Sequence, residues 1–167
     1  KAIVYVGYAG QGVHHALANI LSGKVNPSGK LTETFPLNIN DTFCGDETGD
    51  GTAVWYNDGV FVGYRHYDRY DLDVAYEFGY GLSYTDFEYK DLEIKKITET
   101  DYEVSYTVKN VGDMDGKEVS QLYVKDVMSM VVRPVKELKA FSKDFIKAGE
   151  EKRITIKLSK RDFAFYD

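Results

Sequence analysis

The hydrophobic pattern of this 167-residue chain changes period once, near residue 87, and that change bounds every fold open to it. Before it, Val13, Ala16, Leu17, Ile20 and Leu21 fall at i, i+3, i+4, i+7 and i+8, which predicts a helix. After it, apolar residues alternate with polar ones in short runs: Phe87–Ile97, Tyr102–Val108, Val119–Val124, Lys136–Phe145 and Arg153–Leu158. Glycine turns at Asn110-Val111-Gly112-Asp113 and Lys147-Ala148-Gly149-Glu150 separate two of these pairs. Strands at this spacing predict an antiparallel β-sandwich.

The first part predicts a β-α-β unit. Lys1–Tyr8 reads as a short buried strand, Ser22-Gly23 ends the helix, Asn26-Pro27-Ser28-Gly29 makes a turn, and Leu31–Pro36 alternates as a second strand. One such unit cannot cover both faces of its strands, so a parallel sheet is expected to continue in further polypeptide. Between the two parts, residues 38–59 read as a loop, and the stretch from Tyr56 to Tyr89 holds eight of the fourteen tyrosines. Its weak periodicity predicts an ordered connector pressed on a neighbour, not a helix. The expected organisation is therefore 1–37, 38–86 and 87–167. The charges divide accordingly: residues 1–84 carry 5 basic and 10 acidic groups, residues 85–167 carry 16 and 17. Five or six strands fall short of a seven-stranded sandwich, and both ends of the chain read as cut.

Composition excludes several functions. One cysteine makes neither a disulfide framework nor a cysteine-based zinc site. A net charge of −6 opposes a nucleic-acid partner, which would need phosphate neutralisation. No run of eighteen apolar residues is present, so no membrane-spanning helix is expected.

The motifs, taken in order, resemble glycoside hydrolase family 3. They are Gly10-Gln11-Gly12, Ala16–Gly23, Asn26-Pro27-Ser28-Gly29-Lys30-Leu31 and Thr34-Phe35-Pro36, then Gly59–Asp68, Phe78-Gly79-Tyr80-Gly81-Leu82-Ser83-Tyr84-Thr85, Val108–Gly112, Gly116–Val119, Gln121–Val124 and Arg133–Lys139. The resemblance implies a β-glucosidase-like enzyme of three parts: a barrel, an α/β sandwich domain and a fibronectin type III-like domain. On that basis the fold class is an α/β fragment (β-α-β) followed by an all-β fibronectin type III-like, immunoglobulin-like sandwich, itself incomplete. The role implied is a non-catalytic carboxy-terminal portion that braces the catalytic domains of an enzyme cleaving terminal β-D-glycosidic bonds. The partners implied are those remaining domains and a β-glucoside or oligosaccharide substrate reached through the whole enzyme. No cofactor is implied. An alternative from another class is a stand-alone carbohydrate-binding or adhesion sandwich, which would not require residues 1–36.

Retaining glycoside hydrolysis needs two carboxyl groups about 5–5.5 Å apart. The resemblance places the nucleophilic Asp in a Ser-Asp-Trp context, whereas the single Trp55 here follows Val54, and it places the acid/base Glu upstream of the Gly-Gln segment. No catalytic residue is therefore assigned. Tyr56 and Phe61 are the candidate substrate-binding residues, as rings that could reach an outer sugar subsite. Arg65 and Asp68, three apart, predict a structural ion pair, and Arg133, Lys136 and Glu137 predict loop-to-domain contacts. Three weaker features read as structural. The helical pair His14-His15 points about 100° apart and cannot chelate one ion. Asp46, Glu47 and Asp50 lack the spacing of a calcium loop. Cys44 and His66 lack the other parts of a thiol nucleophile site.

Overall fold

The computed structural model describes residues 2–43, 49 and 51–165. Cys44, Asp46, Glu47 and Asp50, weighed above for thiol and calcium chemistry, lie outside the described residues.

Helix α1 spans Val13–Leu21, as its spacing predicts. The two flanking strands are a correction. Residues 2–8 form no strand among the described residues and stand largely in solvent, with Ile3 78% exposed. The second strand shrinks to β1, Phe35–Pro36, and its partner is the antiparallel β2, Val74–Tyr76, rather than a parallel neighbour. A strand is held by its ladder, and the described residues offer the Ile-Val-Tyr run none. Tyr5 nevertheless marks where the segment rests, its ring edge-on to Phe35 at 5.3 Å and its hydroxyl 3.4 Å from Glu33.

The connector also differs from expectation, because it contains helix α2, Tyr64–Tyr70. Its stripe is aromatic rather than aliphatic. Tyr64 and Tyr67 share a face at i, i+3, and His66 meets Tyr70 at i, i+4 with ring centroids 5.0 Å apart. Asp71 closes the helix in the left-handed region at φ 52°.

Residues 87–158 form the sandwich. One sheet has the order β3-β4-β7 (Phe87–Lys96, Tyr102–Asn110, Glu151–Leu158), and the other pairs β5 (Gly116–Val124) with β6 (Glu137–Ile146). All pairings are antiparallel. Val104, Tyr106 and Val108 alternate inward from the central β4 onto Ile146, Ile154 and Leu158, the buried core. A short helix α3, Lys160–Phe163, which periodicity did not announce, closes one end with Phe163 edge-on to Tyr102.

The polar centre of the sandwich is Asn110, at 0% exposure. Its amide nitrogen donates to the carbonyls of Met114 (2.8 Å) and Ile146 (3.1 Å). Its amide oxygen accepts from the Thr85 hydroxyl (2.7 Å) and the Gly112 N–H (3.2 Å). One side chain thus ties the end of the connector, the turn after β4 and the end of β6. Replacing Asn110 by Ala leaves these groups buried without partners, at a cost of about 1 kcal/mol or more each. Asn110→Ala is expected to lower stability by about 3 kcal/mol, read as a reduced urea midpoint at unchanged slope.

Candidate functional site

The motif residues converge where the 26–31 loop, the 78–85 turn and α2 meet the β5-β6 sheet. Asn26 anchors the contact. Its side-chain nitrogen donates to the Asp115 carbonyl (3.2 Å), and its oxygen accepts from the Ser83 hydroxyl (2.8 Å) and the Tyr84 N–H (2.9 Å). Leu31 exchanges backbone hydrogen bonds with the turn, its N–H to the Tyr80 carbonyl and its carbonyl from the Gly79 N–H, both 2.8 Å. Gly81 has to be glycine for a steric reason: a Cβ there would strike the Gly29 carbonyl. Gly79, at φ 81°, likewise leaves room for the Gln121 amide, which donates to its carbonyl at 3.0 Å.

On the other side of the turn, the Tyr64 ring stacks on Phe78 (4.8 Å) and meets Tyr123 edge-on (5.9 Å). The Tyr64 hydroxyl accepts from the Leu138 N–H at 2.8 Å. The Tyr123 hydroxyl donates to Gln121 Oε1 at 2.6 Å, and burial, with smaller contributions from Tyr64, Asp68 and Glu77, pushes its pKa up to about 12. It remains a donor throughout the ordinary pH range.

A charge cluster continues the contact onto β6. Glu137 receives Arg133 (2.9 Å), Arg65 (3.5 Å) and Lys139 (3.5 Å). Burial alone would raise its pKa, but the hydrogen bond from Arg133 and the charges of Lys139 and Arg65 outweigh it, and the carboxyl titrates below its ordinary range. Asp68 pairs with Lys136 at 3.4 Å. The expected Arg65–Asp68 pair is thus replaced by two separate pairs to the sandwich, because Glu137 and Lys136 on β6 and just before it reach the two side chains from across the junction. Lys136 and Glu137 thus make the anticipated contacts, whereas Arg133 pairs within the sandwich, with Asp126 and Glu137.

Beside this cluster lies a cleft of about 910 Å³ between α2, the 79–81 turn and β5, lined by Tyr64, Asp68, Glu77, Phe78, Tyr123 and Lys136 among others. The Thr34 hydroxyl and Asp68 Oδ2 are buried there without a hydrogen-bond partner among the described residues.

The candidate sugar-binding residues are placed differently from one another. Tyr56 stands 88% exposed beside the exposed Val54 and Trp55, whereas Phe61 is half-buried under the Arg69 guanidinium at 5.7 Å. His66 is a packing residue: its Nε2 donates to the Asp41 carbonyl (2.9 Å), and Phe43, Tyr67 and Tyr70 surround the ring. His14 and His15 touch ring to ring at 4.4 Å on exposed α1 positions. Among the described residues no three His, Cys, Asp or Glu side chains gather as metal ligands would. Sequence reading missed Asn26 and Asn110 as the organising residues; each sits in a quoted motif, Asn-Pro-Ser-Gly and Lys-Asn-Val-Gly, and only the fold shows what its amide joins.

Comparison with known proteins accounts for these motifs. Residues 1–84 match the glycosyl hydrolase family 3 C-terminal domain, and residues 118–167 match the fibronectin type III-like domain. The chain is 49% identical to thermostable beta-glucosidase B of Acetivibrio thermocellus, covering 100% of this chain and 23% of that protein. It is 43% identical to exo-alpha-(1->6)-L-arabinopyranosidase of Bifidobacterium longum, over 99% of this chain and 22% of that protein. The crystal structure of the Bifidobacterium adolescentis GH3 beta-glucosidase superposes with a TM-score of 0.89 at 45% identity, over 94% of this chain and 23% of that one. The chain therefore spans less than a quarter of the length of these relatives.

The Glu137 cluster has a pH signature. A carboxyl whose folded pKa lies below its unfolded value stabilises the fold above the unfolded pKa, and that contribution is lost as pH falls through the folded pKa. Stability is expected to hold from neutral pH down to the ordinary glutamate value near 4.5 and to decline below it. Glu137→Gln should lower the thermal midpoint at pH 7 and flatten that acid limb, as followed by circular dichroism between about pH 7 and pH 3.

Proposed function

The chain belongs to glycoside hydrolase family 3, and from that membership we propose that it is the non-catalytic carboxy-terminal portion of a retaining β-glucosidase-type enzyme. The observation that carries this reading is the junction itself. Asn26 bonds to Asp115, Gly79 to Gln121, Tyr64 to Leu138 and Glu137 to Arg65, and these contacts cross between the α/β-derived segment, the connector and the sandwich. Such an interlock fixes the angle between parts. The domain division 1–37, 38–86 and 87–167 goes with it, the middle part acting as the bolt between the other two.

The chemistry of the whole enzyme is then double displacement: a carboxylate attacks the anomeric carbon, a carboxylic acid protonates the leaving oxygen, and water releases the covalent glycosyl ester. Both groups would come from polypeptide outside these residues, with no cofactor. Similarity at 49% to a beta-glucosidase and at 43% to an arabinopyranosidase supports placing sugar and linkage specificity outside this region as well. Within it, the exposed Tyr56 is the better candidate for contact with an outer sugar, since Phe61 is already covered by Arg69.

The stand-alone binding module is the less favoured reading because residues 26–31 are built into the junction. Two measurements test the choice. The chain alone is expected to show no turnover of an aryl β-glucoside above buffer; turnover abolished by mutating one of its own carboxylates would overturn the proposal. Isothermal titration with glucose and cellobiose should give no saturable heat, whereas a binding module would bind both without further domains.

A further inference from the structure

Helix α2 makes two sets of contacts. Toward the sandwich it presents Tyr64, Arg65 and Asp68, bonded to Leu138 and Glu137 on β6 and to Lys136 just before it. Toward the loop that precedes it, α2 presents two arginines four residues apart. Arg65 Nη1 donates to the Val60 carbonyl at 3.4 Å, and the Arg69 guanidinium stands over the Phe61 ring at 5.7 Å.

Arg65 belongs to both sets. While its Nη1 holds Val60, its Nη2 meets Glu137 Oε1 at 3.5 Å. Glu137 is fixed from the sandwich by Arg133 at 2.9 Å, and Arg133 is held in turn by Asp126 and by the Phe165 ring, 4.5 Å away. A guanidinium suits this place because its planar fork aims separate N–H groups at two acceptors in fixed directions. An ammonium is a point charge and would follow the carboxylate alone.

The segment that Arg65 reaches carries exposed rings. The Phe61 N–H closes a turn on the Asp58 carbonyl at 2.9 Å, with Gly59 at φ 56° inside it. Tyr56 (88% exposed) and Trp55 (51% exposed) stand two and three residues before that turn. Holding Val60 therefore limits where these two rings can move.

We propose that Arg65 is a positioning residue: it carries the placement of the sandwich, through Glu137, to the 58–61 turn and so sets where the Trp55 and Tyr56 rings stand. The consequence for specificity rests on the reading of Tyr56 above as the contact to an outer sugar; the link from Glu137 to the turn does not. An arginine that only stabilised the fold could be replaced by any cation that restores the ion pair. A positioning arginine needs the fork.

Trp55 is the single tryptophan of the chain and reports on this loop. Well below the thermal midpoint, Arg65→Lys, which keeps the charge and loses the fork, is expected to lower Trp55 fluorescence anisotropy by about a third, as nanosecond loop motion is released. Glu137→Gln should do the same, and the double variant no more than either alone, because both cut one link. Arg69→Gln releases Phe61 through a separate contact, so its effect should add to that of Glu137→Gln. Should Glu137→Gln fail to fold, Arg65→Lys decides alone: unchanged anisotropy with an intact strand signal in circular dichroism overturns the proposal. Additivity of Arg65→Lys with Glu137→Gln overturns it too. In the longer glycosidase, Arg65→Lys should raise KM for cellobiose about threefold at unchanged kcat, and leave KM for β-glucosyl fluoride, which has no outer sugar, as it was. A loosened loop with an unchanged KM for cellobiose supports the link and overturns the outer-sugar reading of Tyr56, so the two fail separately.

Discussion

The cohesion of the structure depends on two side-chain amides, the buried Asn110 and the half-buried Asn26. Asn110 binds the sandwich to the end of the connector through Thr85, and Asn26 binds the 26–31 loop to Ser83, Tyr84 and Asp115. Between them lies Gly116, where a Cβ would press on Asn26, Phe87 and Thr85 at about 3 Å. An amide suits this task because it donates twice and accepts twice in fixed directions, so one side chain can satisfy several turns whose backbone groups have no ladder. It also carries no charge to desolvate. The aromatic and ionic contacts further along, Tyr64 on Phe78 and Glu137 with its three cations, join the same elements.

The same junction uses the connector's tyrosines. Tyr64 and Tyr84 cover apolar surface at a junction that is never fully dry, while each hydroxyl finds a backbone partner, the Leu138 N–H and the Ile20 carbonyl. Phenylalanine would fill the same space and leave the Leu138 N–H unpaired. Aliphatic residues would leave the turn at 78–81 without the flat surface it stacks on.

Local pattern carried most of the architecture. Helix α1 and strands β3 to β7 were legible because each satisfies its own periodicity, 3.6 or 2, within ten residues. The failures have one cause, dependence on distant partners. The Ile-Val-Tyr run of residues 2–8 has strand composition, but composition supplies no ladder. Helix α2 escaped notice because its stripe is built from Tyr and His, residues that pattern rules weigh weakly. The spacing of Arg65 and Asp68 suggested a pair within one helix turn, and the real competition came from β6, seventy residues away. The motifs located the junction correctly, while the division of labour among Asn26, Asn110 and Glu137 follows from burial that no single segment encodes.

The contrast between β3 and β5 extends the same reasoning from what is bonded to what is not. An edge strand left in water is under pressure to carry charge or a bulge, since an open ladder recruits unwanted partners. Strand β3 carries both. Strand β5 has only Lys117 and Glu118 as charges and a register shift against β6 between Leu122 and Tyr123, while the connector meets its outer face and the core its inner one. Of its two charges, Glu118 is bound to Tyr89 and Lys30, and Lys117 stands exposed. Strand β5 is thus held from both faces by partners distant in sequence, as the junction residues are, whereas β3 beyond Phe87 stands exposed beside β4.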